Sequence, residues 1–233
     1  MGGRKDKLKR IAAINTFPNV FQNTDFRHPV LVDNEGRERL LKGKWREEVF
    51  KNDLPIVVEL ACGKGEYSID LATRYPDKNY IGIDFRGPRL FTGATLATEK
   101  KLDNVVFVRI RIENITHFFA ENEVSEIWLT FPDPYPKERH EKHRLTFPTF
   151  INLYQKIIEK NGIVQLKTDD IGLFRYSASV LKEMGIDPIY YREDIYAQPL
   201  DFDFLEVKTY FEKKFMAVGR TINYLQFSFE KQP

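Results

Sequence analysis

This sequence has little cysteine and little histidine, and it has no long apolar run. A single cysteine, Cys62, excludes an internal disulfide framework and fits a reducing compartment, which predicts a cytoplasmic protein. Among four histidines and one cysteine, only His140 and His143 are close in sequence, and no second pair of ligands appears, so no bound metal is expected. No apolar stretch approaches the roughly 20 residues of a membrane helix, and the basic start MGGRKDKLKR lacks the apolar segment of a signal peptide, so no membrane attachment is expected.

Charge is nearly balanced over the whole chain, at +2, but it is unevenly placed. Residues 1–10 carry five Lys/Arg against one Asp, and residues 137–144 carry four Lys/Arg against two Glu. The remainder is slightly acidic. Two local basic patches on a nearly neutral protein predict that a polyanion contacts these patches only, rather than the whole surface.

The 233 residues, 42% of them hydrophobic, fit one α/β domain over 51–233 that is preceded by a basic N-terminal extension over 1–50. Apolar runs alternate with segments of helical periodicity. Strands are predicted over 56–62, 80–85, 105–110, 127–131, 162–168, 188–191 and 222–229, and helices over 66–75, 88–101, 147–160 and 171–184. In the extension, residues 7–13 fit either a short basic helix or part of a flexible basic arm, and the pattern favours a helix over 43–50. This alternation predicts a doubly wound, mostly parallel seven-stranded sheet, in which ligands bind outside the carboxyl ends of the strands.

A glycine turn, ELACGKGE, follows the first of these strands. Gly63 and Gly65 let a nucleotide-like ligand approach the backbone, and Asp84 at the end of the second strand stands where a ribose-binding acid belongs. A dinucleotide site would need a third glycine, but position 68 is Ser68. Glu59 instead suits the ammonium group at the amino-acid end of S-adenosylmethionine. The alternative is a glycine turn that binds no ligand.

The segment RIRIENI follows the third strand, where the adenine of such a cofactor usually stacks. Glu113 is the predicted contact to the adenine amine, with Arg111 and Asn114 close to it. The alternative is ordinary surface charge.

Prolines at 132, 134 and 136 end the fourth strand and predict an extended, stiff lip that carries Asp133 and Tyr135. The cationic run KERHEKHR comes next. A carboxylate and an aromatic ring beside this run suit a planar base and its phosphates, whereas the alternative is a proline-rich loop with a solvated turn. Asp169, after the fifth strand, would face the same cleft. It could instead cap the next helix, unless Asp170 takes that role.

Four segments, ELACGKGE, FPDPYPK with RHEKHR, LKTDD and KTYFEKKF, together resemble the bacterial tRNA (guanine-N7-)-methyltransferase family over residues 54–216. The resemblance implies a Rossmann-like class I fold that uses S-adenosylmethionine to methylate N7 of a guanine in the tRNA variable loop, at tRNA position 46. It also assigns roles. Asp133 is the implied catalytic residue and, with Glu59, Gly63, Gly65, Asp84 and Glu113, a cofactor residue; substrate contacts are Lys137, Asp169, Thr209, Tyr210, Phe211 and Glu212; the RNA-binding run is Arg139, His140, Lys142, His143 and Arg144.

Three positions depart from the family pattern. Tyr135 stands where many members have Trp, although stacking needs only an aromatic ring. His143 replaces a usual Arg, which weakens phosphate attraction near neutral pH. The acid expected after the third strand falls on Arg111 without a gap and on Glu113 with a two-residue shift.

Three other functions compete with this one. An exocyclic-amine methyltransferase is the first, because a proline-pinned Asp-Pro-Tyr lip resembles the amine-binding motifs of that class. A non-catalytic RNA-binding module with the same fold is the second, and a nicotinamide dehydrogenase is the third. Nothing in the sequence distinguishes a monomer from a homodimer.

Overall fold

The computed structural model describes residues 4–25 and 27–230, which form an α/β fold around one twisted sheet. Its strands are β1 (Val20–Gln22), β2 (Leu31–Val32), β3 (Glu38–Arg39), β4 (Ile56–Leu60), β5 (Asn79–Ile83), β6 (Val105–Arg109), β7 (Val124–Thr130), β8 (Ile158–Thr168), β9 (Pro188–Arg192) and β10 (Asn223–Phe227). Its α-helices are α1 (Arg4–Ile14), α2 (Glu66–Arg74), α3 (Gly87–Glu99), α4 (Pro148–Gln155), α5 (Ile171–Glu183) and α6 (Tyr210–Ala217).

The strands lie in the order β3-β2-β1-β6-β5-β4-β7-β8-β10-β9. The six from β1 to β8 in this order pair in parallel, and antiparallel pairs lie at both edges. Every residue of β4 is buried, as expected of a central parallel strand with helices on both faces. Alternate side chains enter opposite layers: Val58 and Ile127 join one hydrophobic core, and Val57 and Trp128 join the other.

The prediction of a doubly wound, mostly parallel sheet is confirmed, but the sheet has ten strands rather than seven. The additional three, β1 to β3, come from the N-terminal extension. They are two or three residues long, too short to show a period in the sequence. β1 joins the sheet by pairing in parallel with β6, with Val20 opposite Phe107. The three strands therefore join the sheet only through the pairing of β1 with β6, a strand that lies far away in the sequence.

The predicted helix over 147–160 is too long, and the predicted strand over 162–168 is too short. α4 ends at Gln155, and β8 already begins at Ile158. Ile158 pairs with Val124 of β7, and the register shifts before Ile163 pairs with Glu126. Because Ile157 and Ile158 are apolar and buried in either conformation, their spacing fits a helix as well as a strand. Pairing with β7 decides between the two.

The other helix predictions agree more closely. The expected basic helix over 7–13 is α1, and the expected helix over 43–50 is a six-residue π-helix, Trp45–Phe50. No helix in the described part of the chain is both long enough and apolar enough to cross a membrane. The strand order reverses between β4 and β7, and so the carboxyl ends of these two strands open a crevice.

Candidate active site

The turn after β4 opens the crevice to the backbone. Ala61, Gly63 and Gly65 all have positive φ, at 56°, 60° and 69°. Gly65 must be glycine, because a Cβ there would lie 2.3 Å from Phe107 Cε1. A Cβ on Gly63 would meet no described atom within 4 Å, so open space lies directly against this part of the main chain. The turn is thus a cradle that a ligand can approach closely.

Asp84 is held against this turn, as the glycine-to-acid spacing predicts. The Gly63 N–H donates to Asp84 Oδ2 at 3.0 Å, and the Arg86 N–H donates to Oδ1 at 2.6 Å. Burial raises the pKa of the Asp84 carboxyl. The carboxylate is therefore fixed at the crevice by two backbone donors.

Glu59 lies buried one residue before the end of β4. Its Oε2 accepts from the Ser68 N–H at 3.0 Å and from the Ser68 hydroxyl at 2.5 Å, and its Oε1 accepts from the Thr130 hydroxyl. Burial raises its pKa to about 7, with a further contribution from the charge of Asp84. Glu59 and Asp84 are buried carboxyls that interact electrostatically and are both held by neutral donors, so together they favour a bound cation.

Two adjoining cavities form the crevice. The larger, of about 290 Å³, is lined by Ala61, Asp84, Phe85, Arg86, Arg89, Arg111, Ile112, Glu113, Asp133, Tyr135, His143, Leu145 and Phe150. The smaller, of about 80 Å³, is lined by Glu59, Ala61, Cys62, Gly63, Lys64, Glu66, Tyr67, Arg89, Thr130, Phe131, Thr209 and Phe211. Ala61 and Arg89 border both, so the two cavities adjoin, and together they are called the groove below.

Five of the six predicted cofactor residues line this groove, and the sixth, Gly65, is the N-cap of α2 and does not line it. Glu113 and Arg111 both face it, whereas Asn114 is not among its lining residues. Acids at the ends with apolar side chains between them suit a molecule that has an amino-acid end, a ribose and an adenine. In this respect the residues present fit S-adenosylmethionine.

Several lining residues were missed by sequence reasoning. Phe85 is 46% exposed. It directly follows Asp84 in the sequence, and this position after a predicted cofactor residue could have indicated it. Leu145 and Phe150 could not have been found in this way, because their spacing is that of ordinary core residues. Among residues 4–25 and 27–230, no group of three or more His, Cys, Asp or Glu side chains is arranged to hold a metal ion.

The proline lip is kinked, and the prediction of an extended lip is wrong. Phe131 and Tyr135, each followed by a proline, have φ of 49° and 43°. Tertiary hydrogen bonds override the preference of the residue before proline. The Phe131 N–H donates to the Lys167 carbonyl at 2.8 Å, and the Arg144 guanidinium donates to the carbonyls on either side of the second kink. Asp133 stays exposed at the groove between the two kinks.

The cationic run folds as a 3-10 helix, Glu138–His143. The side chains of Lys137, Arg139, Lys142 and His143 are exposed, and His140 is half-buried next to Arg139. The ring of His143 also lies 5.6 Å from that of Tyr135. Arg144 differs from the rest of the run, because it is half-buried and points back to the lip.

Of the two aspartates after β8, it is Asp170 and not Asp169 that caps the next helix, which is the arrangement that would free Asp169. Asp170 is the N-cap of α5, and its Oδ1 accepts from the Leu173 N–H at 2.7 Å. Asp169 forms an ion pair with Arg220 at 2.5 Å. The cap role therefore leaves Asp169 available for another contact.

The segment KTYFE supplies the N-terminus of α6. Thr209 caps this helix by accepting from the Glu212 N–H at 3.0 Å. Tyr210 and Phe211 are exposed, and Thr209 and Phe211 line the smaller cavity. Glu212 is fully buried, with Oε1 2.7 Å from Lys167 Nζ. The structure thus places its carboxylate in the core, away from any surface that a substrate could touch.

Known proteins share this fold. The 16S rRNA methyltransferase KamB aligns with a TM-score of 0.62 over 84% of this chain and 97% of that chain, at 12% identity. An antibiotic-related methyltransferase aligns with a TM-score of 0.58 over 79% and 92%, at 19% identity. The family model described as putative methyltransferase matches residues 53–225. The fold and the groove thus define a class I methyltransferase.

Sequence relatives narrow the class. A tRNA (guanine-N(7)-)-methyltransferase of Christiangramia forsetii is 44% identical over 226 residues, which cover 97% of this chain and 98% of that protein. One of Bacteroides fragilis is 43% identical over 224 residues, which cover 96% and 85%. The chain belongs to the tRNA (guanine-N(7)-)-methyltransferase family.

Proposed function

We propose that this enzyme transfers a methyl group from S-adenosylmethionine to N7 of a guanine in tRNA, and that the target guanine lies in the variable loop, at tRNA position 46. The observation that carries the proposal is the pair of adjoining cavities, one lined by Glu59 and the other by Asp84, Glu113 and Asp133, beside an exposed cationic run. Membership of the family supports the same reaction. We place this activity in the cytoplasm, with no metal required.

The groove residues would hold the methyl donor by its polar ends. Asp84, fixed by the N–H groups of Gly63 and Arg86, would accept from the ribose hydroxyls. Glu59 would pair with the ammonium group, and Glu113 would accept from the adenine amine. When bound, S-adenosylmethionine supplies an electrophilic methyl group on a sulfonium. The protein contributes alignment and the exclusion of water.

Guanine N7 carries an in-plane lone pair and no proton, so the reaction needs no general base. Asp133 and Asp169 would accept hydrogen bonds from the guanine N1–H and the N2 amine and so orient the ring. The Asp133 carboxylate would also stabilise the positive charge that develops on the base. Tyr135 would lie near the base. Asp169 would keep its ion pair with Arg220 while it accepts from the guanine. This makes Asp133 the catalytic residue.

The exposed cations beside the lip would hold the tRNA backbone. Lys137, Arg139 and Lys142 are placed to contact phosphates, and His140 and His143 add hydrogen-bond donors. Such contacts release counterions, so tRNA binding should weaken with salt. The exposed rings of Tyr210 and Phe211 at the start of α6 would stack on unpaired bases of the tRNA.

The test is transfer of labelled methyl from S-adenosylmethionine to bulk bacterial tRNA, followed by aniline treatment, which cleaves at 7-methylguanine. We expect scission at one variable-loop guanine. Asp133→Asn should reduce the rate about 100-fold, because one electrostatic contact to the transition state is lost. The exposed Glu138→Gln is the control and should match wild type. Label without aniline scission would support an exocyclic-amine methyltransferase, and absence of label would support a binding module.

A further inference from the structure

The second kink of the lip is strained. Tyr135 is bulky, precedes a proline and has φ of 43°. A bulky non-glycine residue in this region is strained, and the conformation persists only when its surroundings over-determine it. Such strain is concentrated in active sites, and Tyr135 lines the groove together with Asp133. Something must therefore hold this turn in place.

The Arg144 side chain fixes this turn by hydrogen bonds to its backbone carbonyls. Its Nε donates to the carbonyls of Pro134 and Tyr135 at 3.1 and 3.3 Å, and its Nη2 donates to the Tyr135 carbonyl at 3.0 Å. The guanidinium carbon lies 4.1 Å from the centre of the Tyr176 ring. Tyr176 belongs to α5 and packs against the hydrophobic core. The guanidinium thus joins the lip to a rigid helix.

This geometry requires an arginine. A guanidinium presents several donors in one plane and stacks flat on an aromatic ring, whereas an ammonium is a point charge on a flexible stem. The carbonyls occupy the plane of the Arg144 group, and Tyr176 occupies a face. Arg139, by contrast, is exposed and lies five residues earlier in the same run.

We infer that Arg144 is a positioning residue: by clamping the Pro134 and Tyr135 carbonyls against Tyr176, it sets where Asp133 and Tyr135 stand in the groove. This departs from the phosphate contact that the family resemblance implies for Arg144, and it rests on the proposed function. Because the Pro134 carbonyl lies one residue from Asp133, loosening the clamp shifts the catalytic carboxylate. The loss should then fall on turnover and not on tRNA affinity.

The decisive variant is Arg144→Lys, which keeps the charge and removes the planar fork. We expect kcat to fall at least about 10-fold, because small misplacements of reacting groups are costly. KM for tRNA and its salt dependence should stay at wild-type values. Arg175→Lys, on the exposed face of α5, is the matched control and should change neither parameter. Arg139→Ala is the reference for a phosphate contact, with raised KM and a salt slope reduced by about one.

A second variant tests the clamp from the other side. Tyr176→Leu should lower kcat in the same way, and the double variant with Arg144→Lys should be no slower than the slower single one, because both break one clamp. Thermal unfolding of each variant checks that the fold survives. If Arg144→Lys fails to fold, Tyr176→Leu carries the test.

Crystal structures of wild type and Arg144→Lys give a readout that does not depend on the reaction. We expect Tyr135 to leave the left-handed region in the variant, whether or not tRNA proves to be the substrate. Loss of methylation by wild type itself would overturn the proposed function and not the clamp. Wild-type kcat in Arg144→Lys, whatever its KM, or an unmoved lip in its crystal structure, would overturn the clamp.

Discussion

At the scale of single residues, the groove holds two buried acids in different surroundings. Asp84 accepts from backbone N–H groups, whereas Glu59 accepts from Ser68 and from the Thr130 hydroxyl. Burial raises the pKa of Glu59 to about 7, although its hydrogen bonds from Ser68 and Thr130 act in the opposite direction. At neutral pH this carboxyl is divided between its two forms. Binding of an ammonium group would draw it to the charged form.

Glu59→Gln should change how stability depends on pH. The folded pKa of about 7 lies above the ordinary 4.5, so between these values the folded protein keeps a proton that the unfolded chain has released. Stability from this group therefore falls as pH rises through that window, by up to about 3 kcal/mol. Urea unfolding at pH 5 and pH 8 should show a smaller decline for Glu59→Gln than for wild type or the exposed control Glu99→Gln. Equal declines would contradict a raised pKa for Glu59.

Calorimetry at pH 8 should also show weaker S-adenosylmethionine binding by the Glu59→Gln variant.

At the scale of elements, α6 is anchored to β8 through a buried ion pair. Lys167 Nζ lies 2.7 Å from Glu212 Oε1 and also donates to the carbonyls of Leu205 and Val207 at 3.1 Å each. Burial lowers the pKa of Lys167, and Glu212 opposes this. The pair fixes the start of α6, where Thr209 reaches the groove. We propose that Glu212 serves the substrate site by this anchoring.

Glu212→Ala should destabilise the fold by roughly 3–5 kcal/mol, because the Lys167 ammonium would be left in the core without its partner. Urea unfolding measures this loss. Glu193→Gln, which breaks the exposed pair with Arg175, is the control and should leave the free energy of unfolding close to the wild-type value. A variant of wild-type stability with reduced tRNA affinity would instead make Glu212 a direct contact.

At the scale of the whole molecule, the N-terminal extension is built into the sheet and the core. Phe21, Leu31, Leu41 and Trp45 are buried in the same hydrophobic cluster as β4. Trp45 stacks on the ring of Phe119 at 5.4 Å, and its Nε1–H donates to the Phe118 carbonyl at 2.9 Å. We propose that the described part of the extension, residues 4–25 and 27–50, is an integral part of the domain.

Deleting residues 1–50 should therefore abolish cooperative unfolding. Each large buried side chain contributes about 1.5–3 kcal/mol, and four of them approach the whole stability of a typical domain. Circular dichroism during heating measures the outcome. Deleting residues 1–10 alone tests the charge of this segment and should weaken tRNA binding with a smaller salt dependence. A 51–233 fragment with the wild-type melting temperature would make residue 51 a true domain boundary.

The sequence by itself determined the central strands and the acids at their ends. Continuous apolar runs such as 56–60 specify buried parallel strands locally, and the carboxyl ends of parallel strands meet at one edge. Glu59, Asp84, Glu113 and Asp133 could thus be placed in one groove before any coordinates. Motif resemblance added the reaction and its substrate.

Only the tertiary structure decided the rest. The short strands of the extension, the kinks at Phe131 and Tyr135, the inward turn of Arg144 and the burial of Glu212 all depend on partners distant in the chain. Lys167 illustrates the reason, since its carbonyl holds the lip while its ammonium holds α6. Hydrogen bonds and ion pairs between such distant groups leave no periodic trace in the sequence, because local propensity reports only on neighbours.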